Sequence, residues 1–310
     1  MRNIFKRDKM KHPHAGMVVK SSGAEIAFDV IIWVLLLGMT FIFLVPFWHV
    51  VMSSFSEGSL LIAHEGIVWW PITSTGSWNF GGYEMLFNYS TVFRGYLNTI
   101  IYVVAGTSLG LVINVIGGYC MYRKSLLQKF FVVYVLITML FSGGLIPTFV
   151  VVNKLGLVNT PFAVILTSCT SALYVILAMN AFRGVNQATV EAAELDGAGH
   201  LRIMFQIMLP QCLSMMSVTI LFTVVGLWNS WFEAKVYLPT GRSEEWWPLQ
   251  LVINRISEQT SGFMQETNPD WNKYILTYTV IIAATVPILV IATIFQKYIE
   301  RGVVLGGVKE

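Results

Sequence analysis

Residues 30–56 read VIIWVLLLGMTFIFLVPFWHVVMSSFS, 27 consecutive positions without a charged side chain between Asp29 and Glu57. A helix crossing the hydrocarbon layer needs about 20 mostly apolar residues, so this stretch can span it. The same pattern recurs along the chain. Arg94 and Arg123 enclose 28 uncharged residues, Lys129 and Lys154 enclose 24, and Lys154 and Arg183 enclose 28. Arg202 and Glu233 enclose 30, and Lys273 and Lys297 enclose 23. These six windows are rich in Val, Ile, Leu and Phe without strict alternation, which fits helices and not barrel strands. The reading is an all-α integral membrane protein with six transmembrane helices.

Composition agrees. Charged residues are 12% of the 310 and hydrophobic residues 55%, with a mean hydropathy of +0.65. A soluble domain carries about a quarter charged residues, and a disordered chain needs low hydrophobicity, so both classes are excluded. The first window exceeds a signal-peptide core of 7–15 residues, and Val51-Met52-Ser53-Ser54 offers no small-x-small cleavage site. A retained helix follows. Cys120, Cys169 and Cys212 are isolated, with no CxxC pair, and read as buried apolar thiols with neither a disulfide framework nor a metal site.

Lys and Arg in the flanks set the orientation. With the N-terminus inside, 14 of the 20 face the cytoplasm: six in the leader, three after the second span, two after the fourth and three in the tail. Arg94, Lys154, Lys235, Arg242, Arg255 and Lys273 lie outside. Both termini are therefore expected in the cytoplasm. The chain divides into a basic cytoplasmic leader 1–29, a first transmembrane helix 30–52, an outer loop 53–94, a core of five transmembrane helices 95–296 and a cytoplasmic tail 297–310. Within the core, 184–206 forms a cytoplasmic hairpin and 233–273 a second outer loop. Ser142-Gly143-Gly144 and Pro147 interrupt the third window, so its helix is expected to end near Leu145, with an irregular connection to Thr160-Pro161.

The spans lack the intramembrane acids and bases that ion-driven transporters place along their pathways. His49 is the one His, Asp, Glu, Lys or Arg well within the first four windows, near an outer helix end. No nucleophile–base pair or metal cluster suggests an enzyme, and no Gly-x4-Gly-Lys-Ser/Thr phosphate loop occurs. No catalytic and no metal-binding residue is assigned. The energy source belongs on another chain.

The hairpin is the informative segment. Asn186 can cap a short helix through the Ala-Ala-Glu-Leu run, Gly197 permits a turn, and Pro210 marks entry to the fifth span. Leu195, Leu201 and Phe205 form an apolar face edged by Glu191, Glu194, Asp196 and Arg202, suited to a groove on a soluble partner. The plainer reading is an amphipathic loop on the membrane; three acids against two arginines argue against an anionic leaflet.

Glu191-Ala192-Ala193, three residues, Gly197, nine residues and Ile207-x-Leu209-Pro210 resemble the EAA signature of ABC-importer permease subunits. Phe141–Pro147, Lys154–Thr160, Trp228–Phe232 and Gly306-Gly307-Val308-Lys309 resemble the carbohydrate-uptake, maltose-permease-like family, in its polysaccharide/oligosaccharide branch. The resemblance covers most of residues 30–310. It implies the type I ABC importer permease fold, with a coupling helix that docks into an ATPase subunit. Glu191, Ala192, Ala193, Glu194, Asp196, Gly197 and Leu201 would make that contact. The tail Gly306, Gly307, Val308 and Lys309 would reach the ATPase dimer, although Glu310 stands where the family ends in Gly; the bland alternative is a charged flexible tail.

The implied function is a permease subunit of an ATP-driven importer, forming half of the pathway for an oligosaccharide or polysaccharide fragment by alternating access. Its partners would be a homologous second permease, two ATPase subunits that bind ATP and Mg, an extracellular solute-binding protein, the carbohydrate and membrane lipid. A secondary sugar transporter or a non-transporting scaffold or enzyme subunit is the alternative. Trp228, Trp231 and Phe232 are spaced to share a helix face that could stack on sugar rings, with Asn229 as hydrogen-bond donor. Interfacial anchoring is the plainer reading of these residues. Trp69, Trp70, Trp246 and Trp247 read as belt residues, with binding-protein docking as the sharper reading. Asn114 and Asn180 suit interhelical hydrogen bonds, and Gly106, Gly110, Gly117 and Gly118 suit close packing on the second span.

Overall fold

The computed structural model describes residues 23–88, 90–262 and 273–307, and all regular structure among them is helical. Most of the basic leader, together with Val308 and Lys309, lies outside the described residues. The chain forms two units, Met1–His49 and Val50–Glu310. Helix α1 (Gly23–Ser54) begins in the first, where its apolar side chains are exposed almost throughout.

The second unit is built around α4 (Ser90–Tyr122), preceded by the short α2 (Gly58–Ala63) and α3 (Gly81–Asn88). There follow α5 (Gln128–Leu140), α6 (Leu145–Lys154), α7 (Pro161–Ser168), α8 (Ala172–Arg183) and α9 (Gln187–Leu195). Next come α10 (His200–Arg202), a π-helical turn at Ile203–Met208, α11 (Leu209–Gln211) and α12 (Leu213–Trp228). The chain closes with α13 (Trp231–Tyr237), α14 (Leu249–Gly262) and α15 (Lys273–Gly307).

The six charge-free windows correspond to three straight helices and three bent pairs. Helices α1, α4 and α15 are each long and apolar enough to cross a membrane. Helices α5 and α6 meet at 116°, α7 and α8 at 46°, and the helical run His200–Gln211 meets α12 at 85°. The first two bends have local causes. Gly144 has φ +83°, a conformation open to glycine, and Phe141 before it is extended. The third helix thus stops at Leu140, earlier than the sequence suggests. The stretch expected to be irregular contains α6, because Gly144 ends one helix and Leu145 starts the next. Pro161 opens α7 at a position where its missing N–H costs nothing, and the Ser171 side chain accepts from Tyr174 N–H to start α8.

Helix α4 packs against α8 and α12, α12 also packs against α8, and α15 joins the bundle through α12 and α14. The glycines of α4 explain how closely. A Cβ on Gly110 would overlap the Cys169 carbonyl oxygen, and one on Gly118 would lie 2.6 Å from the Ala178 Cβ. Gly106 faces Leu227 and Gly117 faces Val175 in the same way. Asn114, 1% exposed, accepts a hydrogen bond from the Thr170 hydroxyl between α7 and α8, satisfying a polar group that hydrocarbon would penalise. Asn180 is exposed and is not part of this contact. Cys169 and Cys212 are buried, whereas Cys120 is exposed, so the expectation of three buried thiols holds for two: Cys120 points away from the α4–α8 contact.

Candidate functional site: the coupling hairpin and the outer helices

Helix α9 begins where the Asn186 side chain accepts from Ala188 N–H at 3.0 Å. It ends in a paired turn: Gly197 N–H donates to Glu194 O at 3.0 Å, and Ala198 N–H donates to Ala193 O at 2.9 Å. This is the Schellman arrangement, with glycine in the left-handed region at φ +77°. Its usual apolar contact is present, since Ala198 packs against the cluster that contains Ala193.

The hairpin then divides by face. Val190, Ala193, Ile203, Met204 and Met208 are buried with Tyr119 of α4 and Ala178 and Phe182 of α8. Glu191, Ala192, Glu194 and Asp196 are exposed. Leu195 and Leu201, apolar yet 89% and 71% exposed, stand at the tip, with Phe205 at 45%. Within Glu-Ala-Ala, the second alanine touches the core and the other two residues face outward. One face thus ties the hairpin to the spans, and the other offers acids and leucines to a partner.

Beside the first limb lies a cavity of about 690 Å³, lined by Arg123, Lys124, Arg183, Glu191 and Glu194 among others. Tyr122 Oη donates to Gln187 Oε1 at 2.9 Å at its edge. The second limb enters a π turn, Ile203–Met208, and Arg202 Nε donates to Gln206 Oε1 at 3.1 Å. Pro210 sits at the start of the short α11, and the chain turns sharply at Cys212 into α12. Gly306 and Gly307 are the last helical residues of α15, while Val308 and Lys309 lie outside the described residues.

The aromatic face proposed at the end of the fifth span is not formed. Helix α12 stops at Trp228, and α13 starts at Trp231 after a break at Asn229 and Ser230. Trp228 is 4% exposed and its indole N–H donates to Ala284 O at 3.1 Å, so it is a packing residue between α12 and α15. Asn229 Nδ2 donates to Val225 O at 3.0 Å, closing its own helix end. Trp231 and Phe232 stay partly exposed, their rings edge-on at 5.8 Å. Spacing of three and four assumes an unbroken helix, and the break rotates the later pair away.

The outer tryptophans also separate. Trp69 and Trp70 are exposed, and Trp70 meets Trp78 edge-on at 5.8 Å. The Trp246-Trp247 segment instead lies against α4. Asn98 Nδ2 donates to Glu245 O at 2.8 Å and to Trp247 O at 3.0 Å, and Tyr102 Oη donates to Trp246 O. Trp247 Nε1 donates to Leu238 O at 2.9 Å. Belt residues would face lipid; Trp247 is instead half-buried and held by hydrogen bonds within the protein.

A group absent from the sequence reading joins α13 to α14. Lys235 Nζ lies 2.8 Å from Glu258 Oε1, and Arg255 Nη1 lies 3.8 Å from Glu258 Oε2. The hydrogen bond from Lys235 is the main cause holding the Glu258 carboxyl below its ordinary range. Lys235 and Glu258 are 23 positions apart, so no local pattern signals the pair.

The site is thus a polar hairpin, anchored on one face and open on the other, carried by a glycine-packed scaffold of apolar helices. The family described as "Binding-protein-dependent transport system inner membrane component" matches residues 106–305, and the chain belongs to that family. It is 31% identical over 291 residues to the "Polygalacturonan/rhamnogalacturonan transport system permease protein YtcP" of Bacillus subtilis, covering 91% of this chain and 98% of that one. It is 27% identical to the "Diacetylchitobiose uptake system permease protein NgcG" of Streptomyces coelicolor, over 92% of this chain and 91% of the relative. Among solved structures, a bacterial ABC transporter that imports the acidic polysaccharide alginate shares the fold. The TM-score is 0.78 at 24% identity, covering 90% of this chain and 99% of that chain.

Proposed function

We propose that this permease subunit carries an oligosaccharide or polysaccharide fragment, pairing with a second, homologous permease. Two separate ATPase subunits would bind ATP and Mg and drive it, and a solute-binding protein would deliver the substrate. The relatives support the substrate class: their names specify polygalacturonan, rhamnogalacturonan and diacetylchitobiose. A second alginate-importer structure, at a TM-score of 0.56, is of the transporter in complex with a pentasaccharide-bound periplasmic protein. That complex supports the solute-binding partner.

The observation that carries the coupling role is the two-faced hairpin. Val190, Ala193 and Met204 lock it to α4 and α8, so a force on the exposed Glu191, Leu195 and Leu201 reaches the spans through packed contacts. ATP-driven closure of the ATPase dimer would move the hairpin as a lever and switch the spans between inward-open and outward-open. The substrate can shift that equilibrium only by binding the two states differently. The Gly306–Lys309 tail would add a second ATPase contact. Exposed Trp231 and Phe232 are the remaining candidates for the pathway, with the Asn229 amide at the helix end beside them. Both termini and the hairpin would lie on the cytoplasmic side.

The test is ATP-dependent uptake of labelled glycans by the complete complex in vesicles, comparing the native chain with Gly197→Pro. A ring at position 197 cannot adopt φ +77° and removes the N–H bonded to Glu194. Hydrolysis without uptake is expected. Unaltered uptake removes the lever assignment.

A further inference from the structure

Helices α13 and α14 carry two cations around one carboxylate, with a tryptophan beside each cation. Lys235 Nζ stands 6.0 Å from the Trp231 ring centroid, and Arg255 Cζ stands 5.4 Å from the Trp247 ring centroid. Both cations share Glu258, at 2.8 and 3.8 Å. The side chains of Lys235, Arg255 and Glu258 are 38%, 32% and 45% exposed, so the group is open to solute. Arg255 Nη2 donates to Thr240 Oγ1 at 2.8 Å, but its Nε is buried without a hydrogen-bond partner. The solute-facing part of the guanidinium is therefore its exposed edge next to Glu258, which Thr240 holds in place from the other side.

Among the described residues, two cations share one carboxylate. Exposed ion pairs add little to stability, so holding α13 to α14 is a weak reason for the second cation. The combination suits a sugar acid better. A carboxylate accepts charge-assisted hydrogen bonds from Lys and Arg, and the apolar face of a pyranose ring can lie on a partly exposed tryptophan such as Trp231, which is 39% exposed.

We propose that Lys235 and Arg255, with Trp231, form a subsite for the carboxylate of a hexuronic-acid residue, and that Glu258 holds the place of that carboxylate when substrate is absent. This rests on the carbohydrate-permease reading above. The substrate class it adds is an acidic glycan. Binding exchanges one carboxylate for another between the same two cations, and the displaced Glu258 carboxylate, half exposed, is taken up by solvent.

The experiment uses the complete transporter in vesicles, with an oligogalacturonate and its methyl ester of equal length. Uptake of the two gives an acid-over-ester preference. The native complex should prefer the acid, and the preference should fall as ionic strength rises. Lys235→Gln and Arg255→Gln should each lower the preference about tenfold, the loss of one hydrogen bond to a charged group. Glu258→Gln removes the resident competitor and should raise it. That variant also decides the matter if the cation variants do not assemble. An equal loss for acid and ester shows a structural bridge and overturns the subsite. A native complex that carries only the ester overturns the subsite and leaves the carbohydrate reading standing. One that carries neither but imports a neutral glycan overturns the subsite alone, and one that imports no glycan overturns both.

Discussion

At the scale of single residues, glycines separate into those held by conformation and those held by space. Gly197 has nothing within 4 Å of a built Cβ, so φ +77° is its constraint. Gly197→Ala should cost about 1–2 kcal/mol at the turn through the left-handed backbone alone. We expect a partial fall in the ratio of uptake to ATP hydrolysis, short of the full uncoupling expected of Gly197→Pro. Gly110 is the opposite case, since its methyl would meet the backbone oxygen of Cys169, which no rotamer change can move. Gly110→Ala should destabilise the chain by about 1–3 kcal/mol, seen as a lower melting temperature in detergent. Gly226, helical and with open space around its Cβ position, supplies the control: Gly226→Ala should be neutral or slightly stabilising in the isolated chain. The EAA spacing marks Gly197 in the sequence, and the four-residue spacing marks Gly106 and Gly110. The Cys169 carbonyl that makes Gly110 irreplaceable is 59 positions away, set there by the α7–α8 bend.

At the scale of elements, the hairpin and the α13–α14 pair make different demands. The hairpin's outer leucines contribute little to the chain's own stability because they are exposed. Leu195→Asn and Leu201→Asn should leave its melting temperature near native while weakening ATPase association about tenfold or more each, measured by co-purification or surface binding. A parallel fall in melting temperature would show that the tip is packed in the free chain. For α13–α14, Glu258 titrates below its ordinary value because Lys235 donates to the charged carboxylate. Its folded pKa is depressed, so its stabilising share is present above the usual carboxylate range and is lost as pH falls through the lowered value. The stability gap between the native chain and Glu258→Gln should therefore close on acidification, read from melting curves across that range. The hairpin was legible from sequence because cap, turn glycine and apolar positions are all local. The ion group was not, since it joins residues brought together by the fold of the second outer segment. The Trp228–Phe232 face was misread because a two-residue break cannot be seen in side-chain spacing.

At the scale of the whole molecule, orientation is the open quantity with a direct measurement. With Cys120 replaced by Ser, Asp196→Cys should react with an impermeant thiol reagent only in inside-out vesicles, and Ser74→Cys only in right-side-out ones. The reverse pattern would invert the topology and remove the hairpin from the side where ATP is hydrolysed. The sequence by itself determined the membrane class, the windows available for spanning and the hairpin with its turn glycine. Charge scarcity, the charge-free run lengths and the EAA spacing are one-dimensional properties, each imposed by the cost of placing charge in hydrocarbon or by local turn geometry. Only the tertiary structure decided that three of the windows are bent pairs, that Trp228 is buried, and that Trp246-Trp247 is held on Asn98 and Tyr102. It alone set Lys235, Arg255 and Glu258 together. Those features depend on which backbone carbonyls and side chains meet across helices, and no spacing along the chain encodes the meeting.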